Sequence, residues 1–263
     1  MDKSEIISKI TQKSEFSQLP EKDVELAFSK FERRQTSDEE KIKLTRDLLR
    51  KTFSVFASNK TFSLNHLNKR DEEWILKKHL STKERFPFYE EVYTKIFQGI
   101  NEKEISIIDL GAGINGLSFN FFPKEKKIKY LAVEGVGQLD ALMNSYFSIK
   151  KINSASAIKM SLFDLSELSN LIQKQKKPRI IFLFKVIDSL EMLDRDYSKK
   201  LLKEIVPFCT RLVLSFATRS LVSRKKFFVS RKWILDFINE NFNLVDDFEL
   251  GGERYLIIEN KYK

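Results

Sequence analysis

The chain has 263 residues, of which 42% are hydrophobic, so it can bury a sizeable core and is not expected to be disordered throughout. Its single cysteine, Cys209, excludes a disulfide framework and a cysteine-rich zinc site, and with only two histidines we expect no metal. No apolar run approaches the length of a membrane span and the first residues are no signal peptide, which predicts a cytoplasmic protein.

The positive charge of the chain is concentrated in two windows. Residues 41–70 contain eight lysines and arginines against Asp47 alone, and residues 211–232 contain seven and no acid. Each window carries +7, which leaves −4 on the rest of a chain whose formal net charge is +10. Such clustering is typical of a polyanion-binding surface, although two solvated faces of a lysine-rich protein give the same pattern. We take Lys51 and Lys69 as candidate RNA contacts.

The first 80 residues carry a helical pattern without strand-like alternation. Apolar residues recur at helical spacing after Pro20, a helix-start signal, and Ser37 with Glu40 forms a capping box that opens the next helix. No long glycine- or serine-rich linker interrupts the chain. We therefore expect an N-terminal helical domain over residues 1–80 that packs directly on the rest of the chain.

From about residue 105, strand and helix patterns alternate, which predicts an α/β fold. The predicted strands are Ile105–Ile108, Tyr130–Glu134, Ile158–Met160, Ile180–Phe184, Arg211–Phe216, Leu244–Glu249 and Arg254–Glu259. Segments long enough for crossover helices separate the first five, so these strands form an open parallel sheet. Gly251 and Gly252 join the last two, which predicts an antiparallel hairpin. A mostly parallel, Rossmann-like sheet with such a hairpin is the class I S-adenosylmethionine-dependent methyltransferase pattern, here over residues 81–263.

A glycine-rich turn follows the first predicted strand. The sequence "IIDLGAGINGL" places Asp109 at the strand end, followed by Gly111, Gly113 and Gly116, where the backbone can turn tightly and approach a ligand. The second strand ends in Glu134, whose carboxylate can accept both hydroxyls of a ribose. These residues predict a site for an adenosine-containing cofactor.

Two cofactor classes compete for this turn. The segment "GAGING", with an acid about 20 residues further on, satisfies the dinucleotide fingerprint of an NAD-dependent oxidoreductase. Asp109 favours S-adenosylmethionine instead, because an acid beside the first glycine would repel a pyrophosphate but suits the ammonium of a methionine moiety. The terminal hairpin independently favours the same cofactor.

Three further segments flank the turn: "HLSTKERFPFYEEVYTKIF" over residues 79–97, "FLFKVIDSLE" over residues 182–191 and "SFATRSLVSRKKFF" over residues 215–228. Within the first, Ser81 with Glu84 predicts a capping box for the helix that carries Arg85. With the turn, and in this order, the segments resemble the 16S rRNA guanine-N7 methyltransferases that confer aminoglycoside resistance. Those enzymes carry "S-T-x-E-R", "D-x-G-x-G-x-N-P", "LLK" and "S-F-P-x-[RK]-S-L-x-G-[RK]" segments. The resemblance covers roughly residues 75–260.

The resemblance implies roles at the methionine and ribose ends of the cofactor. Arg85 would pair with the methionine carboxylate through the bidentate fork of its guanidinium. Asp109, Gly111 and Gly113 would line the methionine end, and Glu134 would hold the ribose.

The resemblance also implies roles at the adenine and at the RNA. Asp164 is the candidate acceptor for the adenine amino group, with a helix N-terminal acid as its alternative. Lys185 follows a strand end, where doubly wound sheets place their ligands, with a surface lysine as its alternative. The residues that would contact the RNA, or order the loop beside the target base, are Arg219, Ser220, Arg224 and Lys226.

Several positions depart from the family pattern, and the glycines that the family has near Ser223 and Phe227 are absent here. Gly116 and Ala217 stand where the family has prolines after Asn115 and Phe216, and Asp188 replaces a third proline. The departures lie in loops that would meet the substrate, whereas the residues of the cofactor site match the family.

The sequence thus predicts an S-adenosylmethionine-dependent rRNA methyltransferase that modifies guanine N7 in the decoding, aminoglycoside-binding site of 16S rRNA within the 30S subunit. Guanine N7 carries no proton, so the reaction needs no general base; we assign no catalytic residue and expect catalysis by positioning. The alternatives are a methyltransferase for another RNA position, such as adenine N1 or tRNA, and a non-catalytic rRNA-binding assembly factor that retains the pocket.

Overall fold

The computed structural model describes residues 1–53, 67, 71–218 and 231–261, in which helices surround one central sheet. The strands are β1 (Glu104–Leu110), β2 (Lys127–Glu134), β3 (Ala155–Lys159), β4 (Arg179–Phe184), β5 (Arg211–Ala217), β6 (Phe242–Leu250) and β7 (Glu253–Asn260). All seven predicted strands are present, with bounds that differ from the prediction by at most three residues.

The sheet has the strand order β3-β2-β1-β4-β5-β7-β6. Neighbouring strands from β3 to β5 pair in parallel, whereas β7 pairs antiparallel with both β5 and β6. Strand β4 is buried along its whole length and β1 along all but its first residue, as expected for the centre of a parallel sheet covered on both faces. The predicted parallel sheet with a terminal hairpin is confirmed.

Eleven α-helices are present in the described ranges. They are α1 (Lys3–Thr11), α2 (Glu21–Ser29), α3 (Asp38–Phe53), α4 (Glu72–Leu76), α5 (Leu80–Arg85), α6 (Tyr89–Phe97), α7 (Gly137–Ile149), α8 (Leu165–Lys174), α9 (Ile187–Leu193), α10 (Tyr197–Ile205) and α11 (Lys232–Asn241). Short 3₁₀ segments at Phe86–Phe88, Asn115–Phe121 and Val206–Phe208 connect some of them. None of these helices is long and apolar enough to cross a membrane.

The N-terminal helices pack directly on the sheet domain. Helices α2 and α3 contact each other and α9, and their side chains Val24, Phe28 and Leu49 belong to the same buried apolar cluster as the strands. The Glu40 amide donates to Ser37 Oγ over 3.3 Å, the serine half of the predicted capping box. Helices α2 and α3 therefore pack at the edge of the sheet where the loops after β2, β3 and β4 begin.

Candidate active site

A cavity opens at the carboxyl ends of β1, β2 and β4. The strand order reverses between β1 and β4, and doubly wound sheets bind their ligands at such a switch point because the loops after neighbouring strands diverge there. The empty space of the cavity, including the open solvent at its mouth, is about 780 Å³. Side chains of α2 and α3, including Asp23 and Phe53, line part of its wall.

The glycine turn forms one wall of this cavity. Gly111 and Gly113 have φ angles of 67° and 57°, in the left-handed region that side-chain-bearing residues rarely adopt. A Cβ on Gly111 would also lie 2.7 Å from Cγ2 of Val186, too close for real atoms. The Gly111 amide donates to the Val133 carbonyl over 2.8 Å, which fixes the turn to the end of β2. Glycine is therefore required at position 111, where the backbone borders the cavity.

Glu134 is fixed at the end of β2 by backbone amides. Its Oε2 accepts from the Gly113 amide over 2.7 Å and its Oε1 from the Val136 amide over 2.9 Å. Burial raises the pKa of the Glu134 carboxyl, and these amides act against that rise. Each oxygen keeps further acceptor capacity, so the carboxylate is oriented and able to accept hydrogen bonds from a ligand.

Asp109 lies beneath the cavity and does not line it. Its Oδ2 accepts from the Tyr130 hydroxyl over 2.6 Å and from Asn115 Nδ2 over 2.7 Å. Burial raises the pKa of this carboxyl, and no described residue donates to its Oδ1. Asn115 does line the cavity, so in this structure Asp109 acts by holding Asn115.

The Arg85 guanidinium is buried where three parts of the chain meet. It donates to Glu253 Oε1 over 2.7 Å, to Asn115 Oδ1 over 2.9 Å and to the Tyr255 hydroxyl over 3.2 Å. Its Cζ lies 4.3 Å from the ring centroid of Phe184, a cation–π contact. Three of the five N–H groups thus have partners among the described residues, which leaves two for an anionic ligand.

Lys185 completes a buried charge cluster with Arg85. It follows β4 with a φ angle of 60°, and its Nζ lies 2.6 Å from Glu84 Oε2 and 3.3 Å from Glu253 Oε2. Burial alone would raise the pKa of the Glu253 carboxyl, but Arg85 and Lys185 hold it below its ordinary value. Two cations and two carboxylates therefore balance at the cavity wall, where an isolated charge would be costly.

The predicted start of the helix that carries Arg85 is wrong. Helix α5 begins at Leu80 with His79 as its N-terminal cap residue, so Ser81 lies inside the helix. The Ser81 hydroxyl lies 3.3 Å from His79 Nδ1, and Glu84 pairs with Lys185. Glu84 therefore pairs with Lys185 across the molecule and does not complete the predicted capping box.

His79 is a cavity residue that sequence reasoning missed. It is 2% exposed and lies against the glycine turn, since a Cβ on Gly113 would be 3.4 Å from its Cε1. Burial, then the positive charges of Arg85 and Lys185, lowers the pKa of His79 to about 3, so the ring is neutral at physiological pH. Its place two residues before the start of the "STKER" segment was the available signal.

Asp23 is the second residue that the sequence did not reveal. It lies in the first turn of α2, where an acid normally indicates only a favourable helix dipole. In the structure it is 2% exposed and lines the cavity. Burial, followed by the nearby carboxylates of Asp164 and Glu134, raises the pKa of Asp23 to about 7, against the effects of Ser161 and Lys22.

The structure brings most of the predicted cofactor residues together. Those that line the one cavity are Arg85, Gly111, Gly113, Glu134 and Lys185. Asp164 does not line it; it precedes α8, and its Oδ1 lies 2.6 Å from Lys22 Nζ. Its role as an adenine ligand stays a prediction.

The predicted RNA contacts are only partly within the described ranges. Lys51 is exposed in the last turn of α3. The others lie outside the described residues, namely Lys69, Arg219, Ser220, Arg224 and Lys226.

Some of the cations in the two basic windows are buried or form ion pairs. Arg50 pairs with Glu15 at 2.6 Å and with Asp47 at 2.8 Å, although only Asp47 lies in its own window. Arg211 is buried and binds Glu259 and the carbonyl of Ile96. Part of each window therefore has a structural role, which linear charge counting could not separate from an RNA-facing one.

Two of the departures from the family pattern have structural counterparts, and the positions near Ser223 and Phe227 lie outside the described residues. At Gly116 a Cβ would lie 2.8 Å from Cζ of Phe147 and 3.0 Å from Sδ of Met143, so a larger residue would displace that ring. Asp188, at the start of α9, forms a two-point ion pair with Arg231, with Oδ2 accepting from Nη2 over 2.6 Å. Nothing in the structure explains Ala217.

Comparison with known proteins finds 16S rRNA methylases among the proteins similar to this chain. No family model matches the chain. A curated 16S rRNA (guanine(1405)-N(7))-methyltransferase from Proteus mirabilis is 25% identical over 189 residues, which cover 70% of this chain and 63% of that protein. The chain thus spans somewhat less than two thirds of the curated relative that it matches.

Solved structures match over nearly the whole chain. The 16S rRNA methylase RmtB has a TM-score of 0.77 at 17% identity, with 99% of each chain covered. The 16S rRNA methyltransferase RmtF, in complex with S-adenosyl-L-homocysteine, has a TM-score of 0.76 at 18% identity, covering 99% of this chain and 100% of that one. At these identities the likeness shows the fold, and it confirms the predicted class I methyltransferase fold and the resemblance to 16S rRNA methylases.

The buried charge cluster predicts a large stability effect at Glu253. Glu253→Gln should lower the free energy of unfolding by about 3–5 kcal/mol, because it leaves Arg85 and Lys185 buried without their shared carboxylate. Denaturant unfolding measures this loss. The matched change Glu84→Gln, at a carboxylate with 27% exposure, should cost about 1 kcal/mol or less. Equal small losses in both variants would show that the cluster does not stabilise the fold.

Asp23 predicts a pH dependence of stability. Its pKa is raised from 3.8 to about 7, so between these values the folded state binds a proton that the unfolded chain releases. The contribution of Asp23 to stability should therefore fall as the pH rises through this window. Asp23→Asn does not titrate and should show a shallower decline of melting temperature between pH 5 and 8 than the wild type. The exposed neighbour Glu21→Gln should keep the wild-type profile; an unchanged profile in Asp23→Asn as well would contradict the raised pKa.

Proposed function

We propose that this protein is an S-adenosylmethionine-dependent methyltransferase that modifies N7 of a guanine in the decoding, aminoglycoside-binding region of 16S rRNA within the 30S subunit. The observation that carries this proposal is one cavity that contains Glu134, fixed by two amides, and Arg85, fixed by Glu253 and Asn115. A carboxylate can accept hydrogen bonds from ribose hydroxyls, and a buried arginine can form an ion pair with an amino-acid carboxylate. The likeness to a curated guanine-N7 enzyme supports the choice of base and RNA.

The residues of the cavity fit this cofactor in shape as well as in charge. The glycine at position 111 leaves room that a Cβ would fill, and the Arg85 guanidinium keeps two N–H groups beyond those bound to described residues. Apolar side chains, including Leu139, Met160 and Phe163, line the part of the cavity beyond Glu134. We assign the amino-acid end of the cofactor to Arg85, the ribose to Glu134 and the adenine to the apolar part.

The proposed chemistry requires alignment rather than proton transfer. The bound cofactor supplies a methyl group on a positively charged sulfur, already activated for transfer. Guanine N7 offers an in-plane lone pair and no proton, so no side chain has to act as a base. The chain contributes a fixed position for the methyl donor, an effect that supplies several kcal/mol (about 7 or more in well-oriented systems). His79, neutral in the cavity, adds no positive charge against a cationic ligand.

The N-terminal helices are the proposed docking domain for the rRNA. Lys51 is exposed in the last turn of α3 and so is positioned to contact a phosphate. Guanine N7 faces the deep, narrow major groove of A-form RNA, which side chains do not read, so the target base must be exposed or flipped out. Docking of these helices on a folded ribosomal surface is consistent with this requirement.

Methylation of ribosomal subunits tests the proposal. We expect purified protein with methyl-labelled S-adenosylmethionine to label 30S subunits more than naked 16S rRNA. Borohydride and aniline, which cleave RNA at 7-methylguanosine, should then cut the 16S rRNA at one guanine of the decoding region. Expression in a sensitive bacterium should raise its aminoglycoside tolerance.

Matched variants distinguish a specific loss of cofactor binding from a general effect of substitution on the protein. Glu134→Ala should weaken binding of S-adenosylhomocysteine about tenfold to a hundredfold through lost charge-assisted hydrogen bonds, whereas the exposed Glu125→Ala should not. Formation of 1-methyladenosine would keep the enzyme class and reject the guanine assignment. Tight cofactor binding without methyl transfer to any RNA would favour an assembly factor instead.

A further inference from the structure

Asp23 brings a carboxylate from the N-terminal helices into the cavity wall. Its Oδ1 accepts a hydrogen bond from the Ser161 hydroxyl, just after β3. Its Oδ2 points toward the loop after β2, since a Cβ built on Gly135 would lie 3.5 Å from it. Asp23 therefore lies between the carboxyl ends of β2 and β3, next to the carboxylate that we assign to the ribose.

The second oxygen of Asp23 has no hydrogen-bond donor from the described part of the chain. The Ser161 hydroxyl donates to Oδ1, and the neighbouring Lys22 pairs with Asp164 rather than with Asp23. Burying a carboxylate is costly when one of its oxygens has no hydrogen-bond donor. A serine or asparagine at this position could form the hydrogen bond between α2 and the loop after β3 without that cost. The raised pKa of Asp23 reflects the same cost. Asp23 is 2% exposed and lines the cavity, so a ligand bound there can supply the missing donor.

We propose that Asp23 is a cofactor-binding residue whose Oδ2 accepts a hydrogen bond from the adenine amino group. The ionised form of a carboxylate only accepts hydrogen bonds, so a ligand group that stabilises this form must be a donor. The ribose hydroxyls are assigned to Glu134, which leaves the amino group as the remaining donor of the adenosine. Met160, Leu162 and Phe163, from the β3 end, supply the apolar wall on which a flat ring can pack.

This assignment replaces the role that the sequence gave to Asp164. Asp164 is paired with Lys22 and does not line the cavity, whereas Asp23 does. The adenine end of the site is then completed by a helix that precedes the glycine turn by more than 80 residues. The N-terminal helices would thus serve cofactor binding as well as RNA docking. The inference rests on the proposed function, because it presupposes an S-adenosyl ligand.

Calorimetry with two ligands tests the inference. The probes are S-adenosylhomocysteine and S-inosylhomocysteine, in which a carbonyl replaces the adenine amino group. We expect Asp23→Ala to lower the affinity for S-adenosylhomocysteine about tenfold to a hundredfold, the effect of losing a hydrogen bond to a charged group. The same variant should show no loss of affinity for S-inosylhomocysteine. Glu21→Ala, on the same helix and exposed, should bind both ligands as the wild type does.

The outcomes distinguish the inference from the proposed function. Unchanged affinity of Asp23→Ala for S-adenosylhomocysteine, or equal losses for both ligands, would overturn the amino-group assignment while leaving the function intact. Loss of amino-group discrimination in Asp164→Asn instead would return the role to Asp164. A wild type that binds neither ligand would reject the proposed function and the inference together. If Asp23→Ala does not fold, Asp23→Asn replaces it, because asparagine keeps the volume of the side chain and an acceptor for Ser161. The same difference between the two ligands is then expected, with a smaller loss of affinity.

Discussion

The buried ion pair between Arg85 and Glu253 is the constraint on which the site depends. An arginine that is 2% exposed is tolerated only with its charge balanced. Glu253 supplies that balance from the first residue of the last strand, and Asn115 binds the same guanidinium from the glycine turn. The arginine thus fixes the turn relative to the terminal hairpin.

This arrangement explains why the hairpin and the glycine turn occur together. Strand β7 pairs antiparallel with β5, which brings Glu253 opposite Ala217 at the carboxyl end of the parallel sheet, where the cavity opens. There it reaches both Arg85 and Lys185, two cations contributed by segments about 100 residues apart. The same charges, with burial, keep His79 neutral. The site that we propose for the amino-acid end of the cofactor is therefore assembled around a balanced group of buried charges.

Local pattern in the sequence was sufficient for the fold and for part of the site. Apolar runs gave all seven strands, and the glycines at 111 and 113 with Glu134 gave one wall of the cavity, because turn chemistry and strand ends are local properties. Residues whose role depends on distant partners were not predictable from local pattern alone. Asp23 looks like an ordinary helix-start acid until α2 packs against the β3 loop, and Ser81 looks like a cap residue until Glu84 pairs across the molecule.

A structure of the protein with S-adenosylhomocysteine tests the central claim most directly. We predict that the amino-acid carboxylate of the ligand lies within hydrogen-bonding distance of Arg85, with the ribose hydroxyls on Glu134 and the adenine against Phe163. The Arg85–Glu253 pair should persist in the complex, because two N–H groups of the guanidinium lie beyond its protein contacts. A ligand bound elsewhere, or one that displaces Glu253 from Arg85, would contradict the role assigned to this cavity.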